Sequence, residues 1–128
     1  MIKKIRVLVV DDSALFRQTI MQQLSAQADM EVVGYAINAY DAQKKIPQLH
    51  PDILTMDVEM PGMSGIDFLK QLLPTNPIPV ILVSSLNLSV FDALSAGAVD
   101  FVRKPDMRAQ NTKDAFFASL IMKVRGAS

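Results

Sequence analysis

Ile5-Arg6-Val7-Leu8-Val9-Val10 is apolar for nearly its whole length and then breaks onto Asp11-Asp12-Ser13. A short run of this kind, without polar alternation, suits a strand buried on both faces, as in a parallel sheet with helices on each side. Similar runs recur about every twenty to twenty-five residues: Glu31 to Ala36, Asp52 to Met56, Ile78 to Val83 and Val99 to Val102. Between them, apolar residues fall three or four apart, the spacing of a helix face. Ser13 can cap a first helix with Phe16, Ile20 and Leu24 on one side, and Asn38 a second with Ala42 and Ile46 inward. Pro47 should end or kink that second helix early. Ser64 with Asp67 three residues on resembles a capping box for a third helix, with Phe68, Leu69 and Leu72 inward and Pro74 as its stop. A fourth, short and unusually apolar, is expected from Leu88 to Ala96, with Gly97 as its C-terminal cap. The fifth should begin near Asn111 or Thr112 and bury Phe117, Leu120, Ile121 and Val124, with Met122 core or near-core.

Five strand–helix units predict an α/β fold: a doubly wound, five-stranded parallel sheet in the order 2-1-3-4-5 with right-handed crossovers. A ligand site in such a sheet lies outside the C-terminal strand ends, where the winding reverses between strands 1 and 3. Asp11 and Asp12 follow strand 1, Asp57 follows strand 3, Ser84 and Ser85 follow strand 4, and Lys104-Pro105 comes shortly after strand 5. Carboxylates brought that close repel by about 4 kcal/mol per pair at 4 Å and an effective dielectric near 20, so positive charge is required. A hard divalent cation meets the need, because carboxylates, a backbone carbonyl and water are oxygen donors suited to Mg²⁺. Lys104 supplies a second positive charge. A carboxylate flanked by metal and ammonium is suited to attack a phosphoryl group, giving an aspartyl phosphate.

Composition narrows the alternatives. Thirteen basic against thirteen acidic residues leave a formal charge of zero, so no basic field points to nucleic acid or to an anionic membrane. The absence of cysteine excludes a disulfide scaffold and a thiol nucleophile, and the single histidine, His50, cannot build a His-rich metal site. His50 reads as a loop residue, and the eight methionines as flexible packing. The basic, apolar N-terminus mimics a signal peptide until Asp11-Asp12, and no apolar run reaches bilayer length. A cytoplasmic protein is expected. Neither G-x-G-x-x-G nor G-x-x-x-x-G-K-[ST] occurs, which argues against nucleotide binding. A phosphatase with an aspartate nucleophile would need a second acid two residues beyond Asp11, where Ser13 stands.

Val10-Asp11-Asp12-Ser13, the run from Met56 to Gly65, Val83-Ser84-Ser85, and the run from Gly97 to Pro105 together resemble the motif blocks of a bacterial response-regulator receiver domain. Within that family, Asp57-Val58-Glu59-Met60-Pro61, Val83-Ser84-Ser85-Leu86 and Asp100-Phe101-Val102-Arg103-Lys104-Pro105 look most like the receiver of the chemotaxis protein-glutamate methylesterases. The resemblance implies a flavodoxin-like receiver fold over residues 1–125, with 126–128 as the start of a linker to an output domain. It implies that Asp57 accepts a phosphoryl group from a histidine kinase. Asp12 and Asp57 would bind Mg²⁺, or Mn²⁺ in its stead, directly, with Asp11 acting partly through water and Glu59 contributing its backbone carbonyl. The Glu59 side chain itself reads as a solvated charge. Ser84 and Lys104 would contact the phosphoryl oxygens, and Phe101 would turn inward as Ser84 moves. Pro105 would hold the Lys104 loop, with a cis bond expected before it. The chain would itself be a regulatory domain rather than an enzyme, any methylesterase domain lying elsewhere. The alternative is a free-standing or other-output receiver acting by phosphorylation-dependent binding or dimerisation.

Two departures stand out. Ser84 and Lys104 are twenty positions apart, fewer than receivers commonly have, which shortens the fourth-helix region. Phe101 stands where tyrosine is commoner. The apolar residues Leu86, Leu88, Val90, Phe91 and Leu94 exceed what one buried face needs, so a docking or dimerisation patch is expected there.

Overall fold

The computed structural model describes residues 3–85, 90–105 and 108–127. Five strands, β1 (Ile5–Val10), β2 (Met30–Ala36), β3 (Ile53–Asp57), β4 (Val80–Ser84) and β5 (Asp100–Arg103), alternate with five helices. The helices are α1 (Ala14–Ser25), α2 (Ala39–Leu49), α3 (Gly65–Leu72), α4 (Val90–Ser95) and α5 (Gln110–Ala127). All strand pairs are parallel and the order is β2-β1-β3-β4-β5, as the alternating pattern predicts.

The period of two along each strand divides the apolar residues between two layers. Val7, Val9, Ile53, Ile81, Val83 and Val102 face α1 and α5, where Phe16, Ile20, Leu24, Leu120 and Val124 cover them. Leu8, Val10, Leu54, Met56, Val80 and Leu82 face the opposite way, under Ile46 of α2, Phe68, Leu69 and Leu72 of α3, and Ala93 and Ala96 of α4. With both faces covered, the short strands are apolar at almost every position.

The helix starts follow the expected chemistry. The side chains of Ser13, Asn38 and Ser64 accept from the backbone N–H groups of Phe16, Asp41 and Asp67, satisfying donors that have no partner inside the helix. Gly97 adopts φ +104 after α4, a conformation costly for residues with a Cβ, and the next N–H, of Ala98, returns to the Ala93 carbonyl.

Three expectations are corrected. Helix α2 continues through Pro47 to Leu49, because its last turn is held from outside: Arg6 donates to the carbonyls of Leu49 (2.6 Å) and His50 (3.3 Å). These contacts, with burial of Ile46, compensate for the N–H that Pro47 lacks. Met122 is exposed (65%), since the α5 stripe of Phe116, Phe117, Leu120 and Val124 places position 122 on the opposite side of the helix. The peptide bond before Pro105 is trans. The first part of the expected fourth helix, with Leu86 and Leu88, lies outside the described residues, as do the side chains of Val90 and Phe91.

Candidate functional site

The parallel sheet brings the ends of β1, β3, β4 and β5 to one rim. Asp11 N donates to the Ala36 carbonyl (3.0 Å), which extends the β1–β2 pairing one residue and fixes the acidic pair at the strand end. Lys104 N donates to the Ser84 carbonyl (2.8 Å) and in the same way carries β5 up to the rim. Asp57 is the last residue of β3, buried at 3% exposure, and Ser84 the last of β4, buried at 0%.

Gly65 explains why the loop after Asp57 is so tight. A Cβ at this first residue of α3 would lie 2.3 Å from the Asp57 carbonyl oxygen and 3.1 Å from Val58 Cα, both main-chain atoms that cannot easily move. Gly65 N also donates to the Val58 carbonyl (2.8 Å). Gly65→Ala is therefore expected to cost about 2–3 kcal/mol and to perturb the Asp57 loop. Chemical denaturation would measure the loss, and a variant as stable as the wild type would contradict this packing.

Asp11, Asp12 and Asp57 each place a carboxylate oxygen within 4.8 Å of the others. Lys104 Nζ lies 3.2 Å from Asp11 Oδ2 and 3.4 Å from Asp57 Oδ2. Asp11 Oδ1 accepts from Ser13 N (2.9 Å), and Asp57 Oδ1 from Glu59 N (3.3 Å). Asp11 Oδ2 is buried and, despite its ion pair, has no donor aligned for a hydrogen bond. A buried carboxylate oxygen in that position, among hard oxygen donors of excess negative charge, fits a divalent cation of the Mg²⁺ type. Burial first, and then the neighbouring Asp11 charge, push the Asp57 carboxyl up to about 7 against the opposing pull of Lys104. Burial also raises Asp11, opposed by the Ser13 N–H and by Lys104.

Lys104, Asp57 and the acidic pair thus meet as their positions at the strand ends predict, while the Ser84 hydroxyl at the end of β4 is engaged by Glu59. Pro105 joins Ser13, Leu15, Phe16, Ser85 and Lys104 around an adjoining cavity of about 260 Å³. Phe101 on β5 is half-buried and packs against the layer of α2, α3 and α4. The Glu59 side chain is exposed but not merely solvated, for its Oε1 accepts from Ser84 Oγ (3.3 Å) and Ser85 Oγ (2.8 Å). Nothing in the spacing of the chain announces that contact, because it joins a loop side chain to a different strand end. Two further groups escape a reading of motifs. Arg17 Nη1 donates to the Asp11 carbonyl (2.8 Å), and the Phe16 ring lies 4.5 Å from Lys104 Nζ. Phe16 reads as a core residue from its periodicity, and its second contact needs the β5–α5 connection in place.

Comparisons with known proteins agree with this geometry. A family model for the response regulator receiver domain matches residues 7–114. A protein-glutamate methylesterase/protein-glutamine glutaminase from Syntrophomonas wolfei is 50% identical over 127 residues, covering 99% of this chain and 37% of that protein. The crystal structure of the response regulator domain of Thermotoga maritima CheB superposes with a TM-score of 0.88 at 42% identity, covering 98% of this chain and 96% of the other. A chain of the CheX-CheY-BeF3-Mg+2 complex from Borrelia burgdorferi aligns with a TM-score of 0.75 at 28% identity, covering 91% and 90%. The chain thus spans little more than a third of the length of the methylesterase relative it matches.

Proposed function

Because this chain belongs to the response regulator receiver domain family, we propose that it is a phosphorylation switch in which Asp57 accepts a phosphoryl group from a phosphohistidine of a histidine kinase. The observation that carries this reading is the single ammonium of Lys104 standing between two buried carboxylates, 3.4 Å from Asp57 Oδ2. An Asp57 carboxylate oxygen attacks phosphorus, the P–N bond of the donor breaks, and its electron pair leaves on the imidazole nitrogen, which takes a proton. Lys104 lies where the phosphoryl oxygens gather negative charge, and Ser84 Oγ can donate to one of them after exchanging its Glu59 acceptor. Asp12, Asp57, the Glu59 carbonyl and, partly through water, Asp11 would hold Mg²⁺, or Mn²⁺ in its place. The bound cation supplies charge neutralisation of the phosphoryl oxygens. Phe101 would then turn inward, altering the α4–β5 surface, while Pro105 fixes the course of the chain after Lys104.

Half of the residues are shared with a protein-glutamate methylesterase of which this chain matches only 37%. That supports a chemotaxis methylesterase as the parent protein, with its hydrolase domain outside this chain; the expected linker start at Gly126 is moved, because α5 continues through Gly126 to Ala127, which packs against the core. It also supports action in the cytoplasm, although the structure says only that no helix among the described residues is long and apolar enough to cross a membrane. Exposed Leu94 and Val99 leave apolar surface near α4 for an output domain, a chemotaxis partner or a second copy.

Acetyl phosphate with Mg²⁺ should add one labile phosphoryl group, and a chelator should prevent it. Intact mass spectrometry reads both outcomes, and an unchanged mass with Mg²⁺ present would contradict the reading. Lys104→Ala should label more slowly yet fail to pass the change on. Amide NMR shifts in β5 and α5 on phosphorylation should shrink severalfold, and shifts of wild-type size would remove Lys104 from the signalling role.

A further inference from the structure

The Lys104 side chain is long and has three rotatable donors, so two carboxylates alone do not fix where its ammonium sits. A third contact does. The Nζ lies 4.5 Å from the centroid of the Phe16 ring, while the same Nζ pairs with Asp11 at 3.2 Å and Asp57 at 3.4 Å. Phe16 is buried at 7% exposure, on the first turns of α1 directly after the acidic pair. Its ring is held in turn by Phe116 of α5, with centroids 5.6 Å apart and planes tilted by 51°, and Phe116 packs edge-on against Phe117 at 4.9 Å. The electron-rich face of an immobilised ring attracts a cation, and does so more strongly where water is partly excluded, as around a Lys104 side chain only 15% exposed. No carboxylate could do the same work, because a further anion would add to the repulsion among Asp11, Asp12 and Asp57.

We propose that Phe16 is a positioning residue for phosphoryl transfer, its ring face holding the Lys104 ammonium over the site between Asp11 and Asp57. The inference rests on the reading of Asp57 as phosphoacceptor and adds a residue to it. In transfer from acetyl phosphate, the bond from an Asp57 oxygen to phosphorus forms as the P–O bond to acetate breaks, and acetate leaves with the electron pair. Lys104 helps only if its charge is already beside the phosphoryl oxygens, because an ammonium that must first leave water loses part of that benefit to reorganisation. Phe16 acts through Lys104 and not on the reacting atoms.

The test replaces Phe16 with mono-, di- and trifluorinated phenylalanine, which keep nearly the same shape while draining the ring face of negative potential. The full chain is used, and phosphoryl uptake from acetyl phosphate is followed at saturating Mg²⁺. The rate should fall stepwise with fluorination, to roughly a fifth for the trifluorinated ring. Phe16→Leu should slow uptake by a similar factor, and Phe16→Tyr should restore it. In a Lys104→Ala background the whole series should be flat, as required when one residue acts only through the other. A flat series in the wild-type background, or an equal fall with and without Lys104, would overturn the proposal. If the unsubstituted chain takes up no phosphoryl group, the Asp57 reading fails instead, so the two failures are told apart.

Discussion

Asp57→Ala should take up no phosphoryl group from acetyl phosphate in the presence of Mg²⁺, while the wild-type chain should gain one. Among the three clustered carboxylates the surroundings differ enough to single out one acceptor. Asp11 is buried at 1% exposure with Oδ1 engaged by Ser13 N, which suits it to holding charge more than to attack. Asp12 is exposed, which suits a metal ligand open to water. Asp57 shares the Lys104 ammonium with Asp11 and differs from it in its place at the end of β3, beside β4, which ends on Ser84. Removing the proposed nucleophile should abolish labelling rather than merely reduce it. Asp57→Asn, which keeps the shape of the side chain, should be equally silent and guards against a folding defect in the alanine variant. Labelling that persists in both would move the acceptor elsewhere.

The second large effect is on stability, and its sign follows from proton binding. The Asp57 carboxyl is raised to about 7 in the folded chain, whereas an unfolded aspartate titrates near 3.9. Between roughly pH 4 and pH 7 the folded state therefore holds more protons than the unfolded state. Unfolding free energy must fall as pH rises through that window, by at most about 4 kcal/mol for this group, and level off above it. The direction is opposite to that of an aspartate whose only role is a surface ion pair. Asp57→Asn should flatten the slope. A cation bound by the folded state alone reverses the loss: at a hundredfold excess over its Kd, Mg²⁺ should add about 2.7 kcal/mol. For a chain of this length that is roughly 8–10 °C in Tm. Thermal melts at pH 5 and pH 8, with Mg²⁺ and with chelator, measure all of this. The Mg²⁺ effect should be larger at pH 8, where no proton competes for Asp57. A melting temperature that rises with pH without metal, or ignores Mg²⁺, would contradict the electrostatic account.

How much of this was readable beforehand depended on whether a property was local or assembled. The strands and their order were legible because both faces of the sheet are covered, so Val7 to Val10 and Val80 to Val83 carry no polar residue. The caps at Ser13, Asn38 and Ser64 were legible because capping is a contact between residues three apart. The acidic trio followed from topology once strands 1 and 3 were neighbours. Features that join distant segments were not legible. Pro47 is tolerated because Arg6, more than forty residues earlier, holds the turn beyond it. The hydrogen bonds of Glu59 to Ser84 and Ser85, and the stacking of Lys104 on Phe16, arise only where loops converge. Phe116 is not separable from Phe117 in the sequence, because two adjacent aromatic residues both fit the inward edge of a helix stripe, and both are buried.

The most direct measurement is a crystal structure of the chain grown with Mg²⁺ and fluoroberyllate, an anion that mimics a phosphoryl group on a carboxylate. The account predicts one metal ion held by Asp12, Asp57 and the Glu59 carbonyl. It also predicts the beryllium group on an Asp57 oxygen, with Lys104 Nζ and Ser84 Oγ on its fluorines. A metal bound away from the acidic trio, or a beryllium group on any residue other than Asp57, would contradict it.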